Sequence, residues 1–249
     1  MTRGIYMSAS GMLANQAAQE AVAQNLANAS TTGFKHDVPR FQSFGDALIN
    51  QMSNGKSQTI GSLGFGAGAP TLDTDFSDGA LQKTDNPLDV ALTGNAYLSV
   101  QTPQGVRYTR DGAMTRDAQG KLILVNGRLP VLGTDGKPIQ ISAMAKDITI
   151  DANGVIAADG KRAGQLQLVG LSRANAPQKV GDNLFNASNV NTLSAGSSVQ
   201  QGFLEASNVN VVKEMVTMIS VMRAYETSEK MLQMQDDALG KATTEVSKL

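Results

Sequence analysis

Few residues of this 249-residue chain have the chemistry of nucleophiles or metal ligands. Cysteine is absent, so the chain has no thiolate nucleophile, no disulfide and no thiolate metal site. The single histidine, His36, excludes a metal site built from several histidines, and its polar neighbours are typical of a surface position. No serine lies in the sequence context of a nucleophile elbow. These residue types therefore provide no catalytic centre.

Two short segments match known binding loops only in part. Residues 64–69 (GFGAGA) fit the glycine spacing of a dinucleotide-binding loop, but Pro70 follows where that motif needs a helix. Residues 73–78 carry three aspartates but lack the glycine and the final glutamate of a calcium-binding EF-hand loop. We therefore expect no enzymatic activity, no bound cofactor and no metal ion.

The composition limits the classes of partner. The chain has 21 Lys and Arg against 22 Asp and Glu, whereas nucleic acids and anionic membranes select proteins with a basic excess. We therefore expect no nucleic-acid partner. No apolar run is long enough to predict a transmembrane segment. The N-terminus also lacks the pattern of a cleavable signal peptide, which taken alone indicates a cytoplasmic protein.

Both ends of the chain carry helical patterns. A weak heptad stripe lies between about residues 5 and 29, and a stronger stripe with spacings of four and three begins at Val211 and ends near Gly240. The second pattern is longer than a mean globular helix of about 11–12 residues, which favours packing between molecules over a core helix of one domain. The apolar residues that we predict to mediate this packing are Ile5, Met12, Leu26, Val211, Met215, Met218, Met222, Tyr225 and Leu232.

The middle of the chain has a β pattern. Six Asp-Gly or Asn-Gly dipeptides between residues 78 and 160 predict tight turns. Short β-type runs among them predict strands at residues 88–92, 97–101, 121–125, 147–150 and 165–171. The sequence thus predicts an α+β protein in which paired, coiled-coil-like terminal helices flank a central all-β domain of antiparallel hairpins. The predicted boundaries are residues 1–35 and 203–249 for the helical assembly domain, 36–75 for an extended linker segment, and 76–202 for the β-rich domain. We also expect residues 71–201 to fold alone.

Four segments, in this order along the chain, resemble the bacterial flagellar rod and hook family. They are residues 25–35 (NLANASTTGFK), residues 84–92 (TDNPLDVAL), residues 108–112 with 117–122 (YTRDG and DAQGKL), and residues 202–210 (GFLEASNVN). The residues that carry the resemblance are Asn25, Asn28, Gly33, Phe34, Asn86, Pro87, Leu88, Ser207 and Asn208.

The resemblance implies a structural subunit of the proximal or distal rod of the flagellar basal body. Its terminal helices would form the inner tube, which transmits torque and encloses the export channel. It further implies self-association, contact with other flagellar axial proteins, and export by the flagellar type III apparatus without a cleavable signal peptide. An alternative from the residues alone is a soluble adhesin or binding module with a helical dimerisation stalk.

Overall fold

The computed structural model describes residues 2–43, 45, 47–53, 56–64, 66–142, 144–171, 177–181, 183–187, 190–191 and 197–246. Helix α1 (Thr2–Ala27) and helix α2 (Val211–Val246) lie at the two ends of the chain, and strands β1 to β19 lie between them. Every strand pairing in these described ranges is antiparallel. The predicted arrangement of two terminal helices around a β-rich region is confirmed.

The chain forms two compact units. The helical unit contains Met1–Ala27, Asp37–Asp75 and Asn210–Leu249, and the β unit contains Asn28–His36 and Phe76–Val209. These boundaries differ from the predicted ones, because residues 28–35 and 203–209, predicted in the helical assembly domain, and residue 36, predicted in the linker, belong to the β unit. A fragment of residues 71–201 would therefore lack two segments of the β unit.

In the helical unit, α1 and α2 pack against each other. Helix α2 begins after Asn210, whose side-chain Oδ1 accepts a hydrogen bond of 3.1 Å from the backbone N–H of Lys213. The helix does not end near Gly240 as predicted, but continues to Val246. A single exposed glycine costs a helix only about 1 kcal/mol, which is too little to end it.

The segment predicted as an extended linker contains four strands. Strand β1 (Asp37–Arg40) pairs with β4 (Thr71–Thr74), and β2 (Ala47–Ser53) pairs with β3 (Lys56–Leu63). The β2–β3 pairing falls partly on the glycine- and serine-rich stretch that led to the linker prediction. Cross-strand pairing thus overrides a composition that favours a flexible chain.

The β unit contains the remaining strands. They are β5 (Leu81–Lys83), β6 (Val90–Thr93), β7 (Tyr97–Thr102), β8 (Gly105–Thr109), β9 (Met114–Arg116), β10 (Leu122–Leu124), β11 (Ile148–Ile150), β12 (Val155–Ala158), β13 (Lys161–Gln165), β14 (Leu168–Leu171), β15 (Gln178–Lys179), β16 (Leu184–Asn186), β17 (Val190–Asn191), β18 (Ser198–Gln201) and β19 (Phe203–Glu205). The largest sheet has the order β15-β16-β8-β7-β14-β17, and β11-β12-β13 form a second sheet. Strands β10-β9, β18-β6 and β19-β5 form two-stranded ribbons.

The core of the β unit is aliphatic, with a smaller aromatic cluster beside it. Val90, Leu98, Val100, Leu122 and Ile156 belong to the buried aliphatic cluster. In the aromatic cluster, the Tyr97 and Phe185 rings meet edge to face, with centroids 5.7 Å apart. Tyr97 and Leu98 are neighbours on β7 and belong to different clusters, so the two clusters lie on opposite faces of that strand.

The six predicted turn dipeptides serve two different purposes. Asp159 and Gly160, both with positive φ, form the two-residue loop between β12 and β13, as predicted. Gly79 and Gly112 do not lie in hairpin turns. A Cβ at Gly112 would lie 1.8 Å from the carbonyl oxygen of Val90, and a Cβ at Gly79 would lie 1.9 Å from that of Ala206. These two glycines are needed because another backbone passes directly over them.

Candidate assembly site

Helix α1 is buried along a stripe of small residues. Ala14, Ala18, Ala21, Val22 and Asn25 are its buried residues, and they follow the spacing of one helix face. The residues predicted for this stripe, Ile5, Met12 and Leu26, are only half-buried. The buried face of α1 therefore lies beside the predicted one rather than on it.

Only every second position of the predicted α2 stripe lies on the less exposed side of the helix. Met218, Tyr225 and Leu232 are half-buried, whereas Val211, Met215 and Met222 are exposed. Among residues 211–244 of this helix, Glu214 and Val221 are buried. The less exposed side of α2 thus runs through residues 214, 218, 221, 225, 228, 232, 235 and 239, again with spacings of four and three.

Three contacts define how the two helices run. A Cβ placed on Gly4 would lie 2.6 Å from Gln235 Oε1, and one on Gly11 would lie 3.7 Å from Ser228 Oγ. At the other end, Asn25 Nδ2 donates a hydrogen bond of 3.2 Å to Glu214 Oε2. Residue numbers rise along α1 as they fall along α2, so the helices are antiparallel.

Asn25 connects three parts of the helical unit. Its Nδ2 donates to the carbonyl oxygen of Asp37 at 2.7 Å, and its Oδ1 accepts from the Asp37 N–H at 3.0 Å. The same amide donates to Glu214, and both side chains are buried. A buried amide with these partners fixes α1 against β1 and the first turn of α2.

The opposite side of α2 exposes a continuous apolar surface at the start of the helix. Val212 is 72% exposed, Val216 62% and Ile219 52%, and their spacing of four and three places them on one face. We call this surface the α2 patch; it comprises Val211, Val212, Met215, Val216, Ile219 and Met222. Helix α1 has a smaller counterpart, the α1 patch, in which Tyr6 is 73% and Leu13 68% exposed. Both patches are surfaces that another molecule can bury.

Within the β unit, the segments of the first and last resemblances lie side by side. The N–H of Gly33 donates to the carbonyl oxygen of Glu205 at 2.8 Å, and the N–H of His36 donates to Asn208 Oδ1 at 2.8 Å. Gly33 has φ of +66°, and a Cβ there would lie 2.6 Å from the backbone of Arg110. The Phe34 ring lies 4.3 Å from Lys179 Nζ.

The other motif residues shape local turns. Asn28 Oδ1 accepts from the Thr31 hydroxyl at 3.1 Å, and Ser207 Oγ accepts from the Val209 N–H at 3.3 Å. Asn86 Oδ1 accepts from the Leu88 N–H at 3.1 Å, and its Nδ2 donates to Asp89 at 2.8 Å. The carbonyl oxygen of Pro87 accepts from Gln201 at 2.8 Å, and Leu88 is buried in the core.

Four charged residues form a cluster where these segments meet. Glu205 accepts from Lys35 Nζ at 2.7 Å through one oxygen and from Arg110 Nε at 2.6 Å through the other. Arg110 Nη2 also donates to Asp78 at 2.6 Å. Lys35, Arg110 and Glu205 are buried, while Asp78 reaches solvent. Two cations and two carboxylates balance, which makes this burial tolerable.

The cluster was not predicted from the sequence as a charged site, although three of its members lie inside the motif segments. Lys35 ends the first segment, Arg110 lies in YTRDG, and Glu205 lies in GFLEASNVN. Their position inside the motif segments is the only sequence signal for these residues, and it does not show that the four side chains meet.

Burial lowers the pKa of the Lys35 amine below the ordinary 10.5, although the hydrogen bond to Glu205 opposes this shift. The unfolded chain therefore binds more protons between the lowered pKa and 10.5, so the contribution of Lys35 to stability rises with pH across that window. We expect the ¹³Cε NMR signal of Lys35, assigned with Lys35→Met, to titrate below 10.5 in the folded protein. The same signal in urea is the control, and a folded midpoint at or above 10.5 would contradict this assignment.

The described part of the chain was also compared with the requirements of a metal site, a membrane-spanning helix and a dinucleotide site. There, no three His, Asp or Glu side chains converge as metal ligands, and neither helix has a long enough apolar stretch to cross a membrane. Gly66, from the glycine-rich segment, lies against Ser10 of α1, and no helix follows that segment before β4. It therefore lacks the strand–turn–helix context of a dinucleotide site.

Comparison with protein families gives three matches along the chain. Residues 5–35 match the model "Flagella basal body rod protein", and residues 91–158 match "Flagellar hook protein FlgE/F/G D1 domain". Residues 200–245 match "Flagellar basal body rod FlgEFG protein C-terminal". These ranges include most of α1, the strands from β7 to β12, and most of α2.

Similar proteins align over nearly their whole length. The flagellar basal-body rod protein FlgG of Bacillus subtilis is 31% identical, covering 96% of this chain and 97% of the relative. The flagellar basal-body rod protein FlgF of Rhizobium meliloti is 32% identical, covering 97% of each. The flagellar hook-basal body complex protein FlhO of Bacillus subtilis is 30% identical over the full length of both. The chain therefore belongs to the family of flagellar basal-body rod proteins, as a structural rod subunit.

Proposed function

We propose that this protein polymerises into the helical tube of the rod through its helical unit. The observation that carries the proposal is the α2 patch, an apolar helix face that is exposed to solvent in the described part of the chain. Solvated apolar side chains in this number are unfavourable, and burying them against neighbouring copies supplies a driving force for assembly. The 4–3 spacing on the other side of α2 supports a coiled-coil-like pairing with α1 in each subunit.

The positions of the two patches favour an open polymer. Because the helices are antiparallel, Tyr6 lies between the Gly4–Gln235 and Gly11–Ser228 contacts and Leu13 lies two residues beyond the second one, whereas the α2 patch ends at Met222. The two patches of one subunit are thus offset along the antiparallel helix pair and cannot cover each other. When the α1 patch of one copy covers the α2 patch of the next, the contact is heterologous and repeats without closing, which produces a filament.

Membership of the family supports a wider role. The rod formed in this way lies in the flagellar basal body, transmits torque and encloses the export channel. We propose that the subunit contacts other flagellar axial proteins at the rod ends and reaches the growing end through the flagellar type III export apparatus. No reaction is catalysed, since the function consists of packing.

The test introduces charge into the α2 patch in the source organism. We expect cells that carry Val216→Glu with Ile219→Glu to lose motility and to yield basal bodies without a complete rod, because two buried carboxylates would lack partners. The control is Ser220→Glu, an exposed polar position on the same helix. Electron microscopy of isolated basal bodies measures the outcome. Complete rods in the double variant would refute assembly through this surface.

A further inference from the structure

The last segment of the β unit is held by residues that are far away in sequence. We call residues 202–209 the closing segment. Its strand β19 pairs with β5, matching Phe203 with Lys83 and Glu205 with Leu81. The N–H of Ala206 donates to the carbonyl oxygen of Ala80 at 2.8 Å, and the N–H of Gly202 donates to that of Asp89 at 2.8 Å.

The closing segment also supplies the central carboxylate of the charged cluster. Glu205 Oε1 accepts from Lys35 Nζ at 2.7 Å and from the Gly79 N–H at 2.8 Å, and Oε2 accepts from Arg110. In the cluster that remains without this segment, Asp78 is the sole carboxylate for two cations. Its Oδ1 lies 4.0 Å from Lys35 Nζ, and 58% of the side chain is exposed.

We infer that residues 28–36, residues 77–83 and Arg110 form a binding site for an extended acidic peptide, and that the closing segment is its ligand. Docking of Glu205 is an obligatory step in folding of the β unit. Until Glu205 docks, folding would bury the two cations while their one carboxylate partner stays exposed to solvent. The desolvation free energy of these cations is comparable with much of the stability of a domain.

Folding of the β unit depends on a residue that comes late in the chain. A chain that emerges from its N-terminus presents Lys35 and Arg110 long before Glu205. The β unit therefore stays unfolded until residues 202–209 have emerged. For a subunit exported through a narrow channel, which rests on the proposed function, the late position of the closing segment delays folding of the β unit until most of the chain has left the channel.

The test is a refolding experiment on the full-length chain. Pulsed hydrogen exchange with mass spectrometry follows protection of β7 and β8 in the core, of β5 and β19, and of residues 33–36. We expect all of these amides to become protected in one phase. Protection of β7 and β8 in an earlier phase than β19 would overturn the inference, because the core would then form without the closing segment.

Two variants test the role of the charge. Glu205→Gln keeps the shape of the side chain but removes its charge, and we expect it to slow formation of the core about 100-fold or more. The control is Glu226→Gln, at an exposed position of α2, which should leave the rate unchanged. Adding Lys35→Met to Glu205→Gln removes one uncompensated cation and should recover at least tenfold of the lost rate. A double variant that folds more slowly than the single variant would contradict the electrostatic basis.

The wild-type order of protection is informative even if Glu205→Gln does not fold. The outcome is also independent of rod assembly. A protein that folds in one phase but does not polymerise refutes the proposed function alone, and a rod-forming protein whose core folds early refutes the obligatory step alone.

Discussion

Replacing Arg110 by alanine is expected to lower the free energy of unfolding of the β unit by about 3–5 kcal/mol, because it breaks a buried ionic cluster. Glu205 would lose one of its two cationic partners. The carbonyl oxygens of Leu92, Gly94 and Ala96 would lose donors that lie 3.1, 2.5 and 3.2 Å away. Each unpaired buried acceptor adds its own desolvation penalty.

Urea denaturation followed by circular dichroism, with hydrogen exchange to localise the effect, measures this loss. Arg110→Lys should recover only part of the stability, because an ammonium group cannot reach Glu205, Asp78 and the three carbonyl groups at once. The control is Arg162→Ala on the exposed strand β13, which should change the free energy of unfolding by less than about 0.5 kcal/mol. A similar loss in both alanine variants would contradict a specific role for Arg110.

The general architecture was predictable from the sequence because each element has a strong local signal. The long 4–3 pattern after Val211 predicted α2, and the weak heptad stripe between about residues 5 and 29 predicted α1. The predicted β runs at residues 88–92, 97–101, 121–125, 147–150 and 165–171 overlap β6, β7, β10, β11 and β14. These runs are short and apolar, and turn dipeptides separate several of them.

The buried faces of the helices were harder to predict because, in both helices, the buried and exposed faces differ little in polarity. In α1 the buried residues are mostly alanines, while the larger Tyr6 and Leu13 point to solvent. Small residues let α2 approach closely, but they contribute little to an apolar stripe. In α2 the face toward α1 includes Glu214, Ser228 and Gln235, so the more apolar neighbouring positions defined the predicted stripe.

The charged cluster required information that no local pattern contains. Lys35, Asp78, Arg110 and Glu205 are widely separated in the sequence, and each alone is typical of a solvated surface. Only the fold brings them to within hydrogen-bonding distance of one another. The predicted linker at residues 36–75 is a similar case, because β1 meets β4 across the intervening residues 41–70.

Two methionines one helical turn apart separate folding from assembly. Met218 lies on the half-buried side of α2, whereas Met222 belongs to the α2 patch and is 44% exposed. We expect Met218→Lys to lower the free energy of unfolding of the helical unit by about 1–3 kcal/mol, because the charge meets α1. Met222→Lys should change it by less than about 0.5 kcal/mol, since its side chain already meets water.

During assembly, Met222→Lys should be the substitution with the larger effect. Purified Met222→Lys protein, at a concentration where the wild type forms filaments, is expected to remain monomeric in sedimentation and electron microscopy because a lysine would be buried in the patch contact. The same substitution type, four residues apart on one helix, controls for helix propensity and net charge. If Met222→Lys instead lowered stability as much as Met218→Lys, the α2 patch would be an internal surface of the subunit. Normal filaments from Met222→Lys would place the contact between subunits elsewhere.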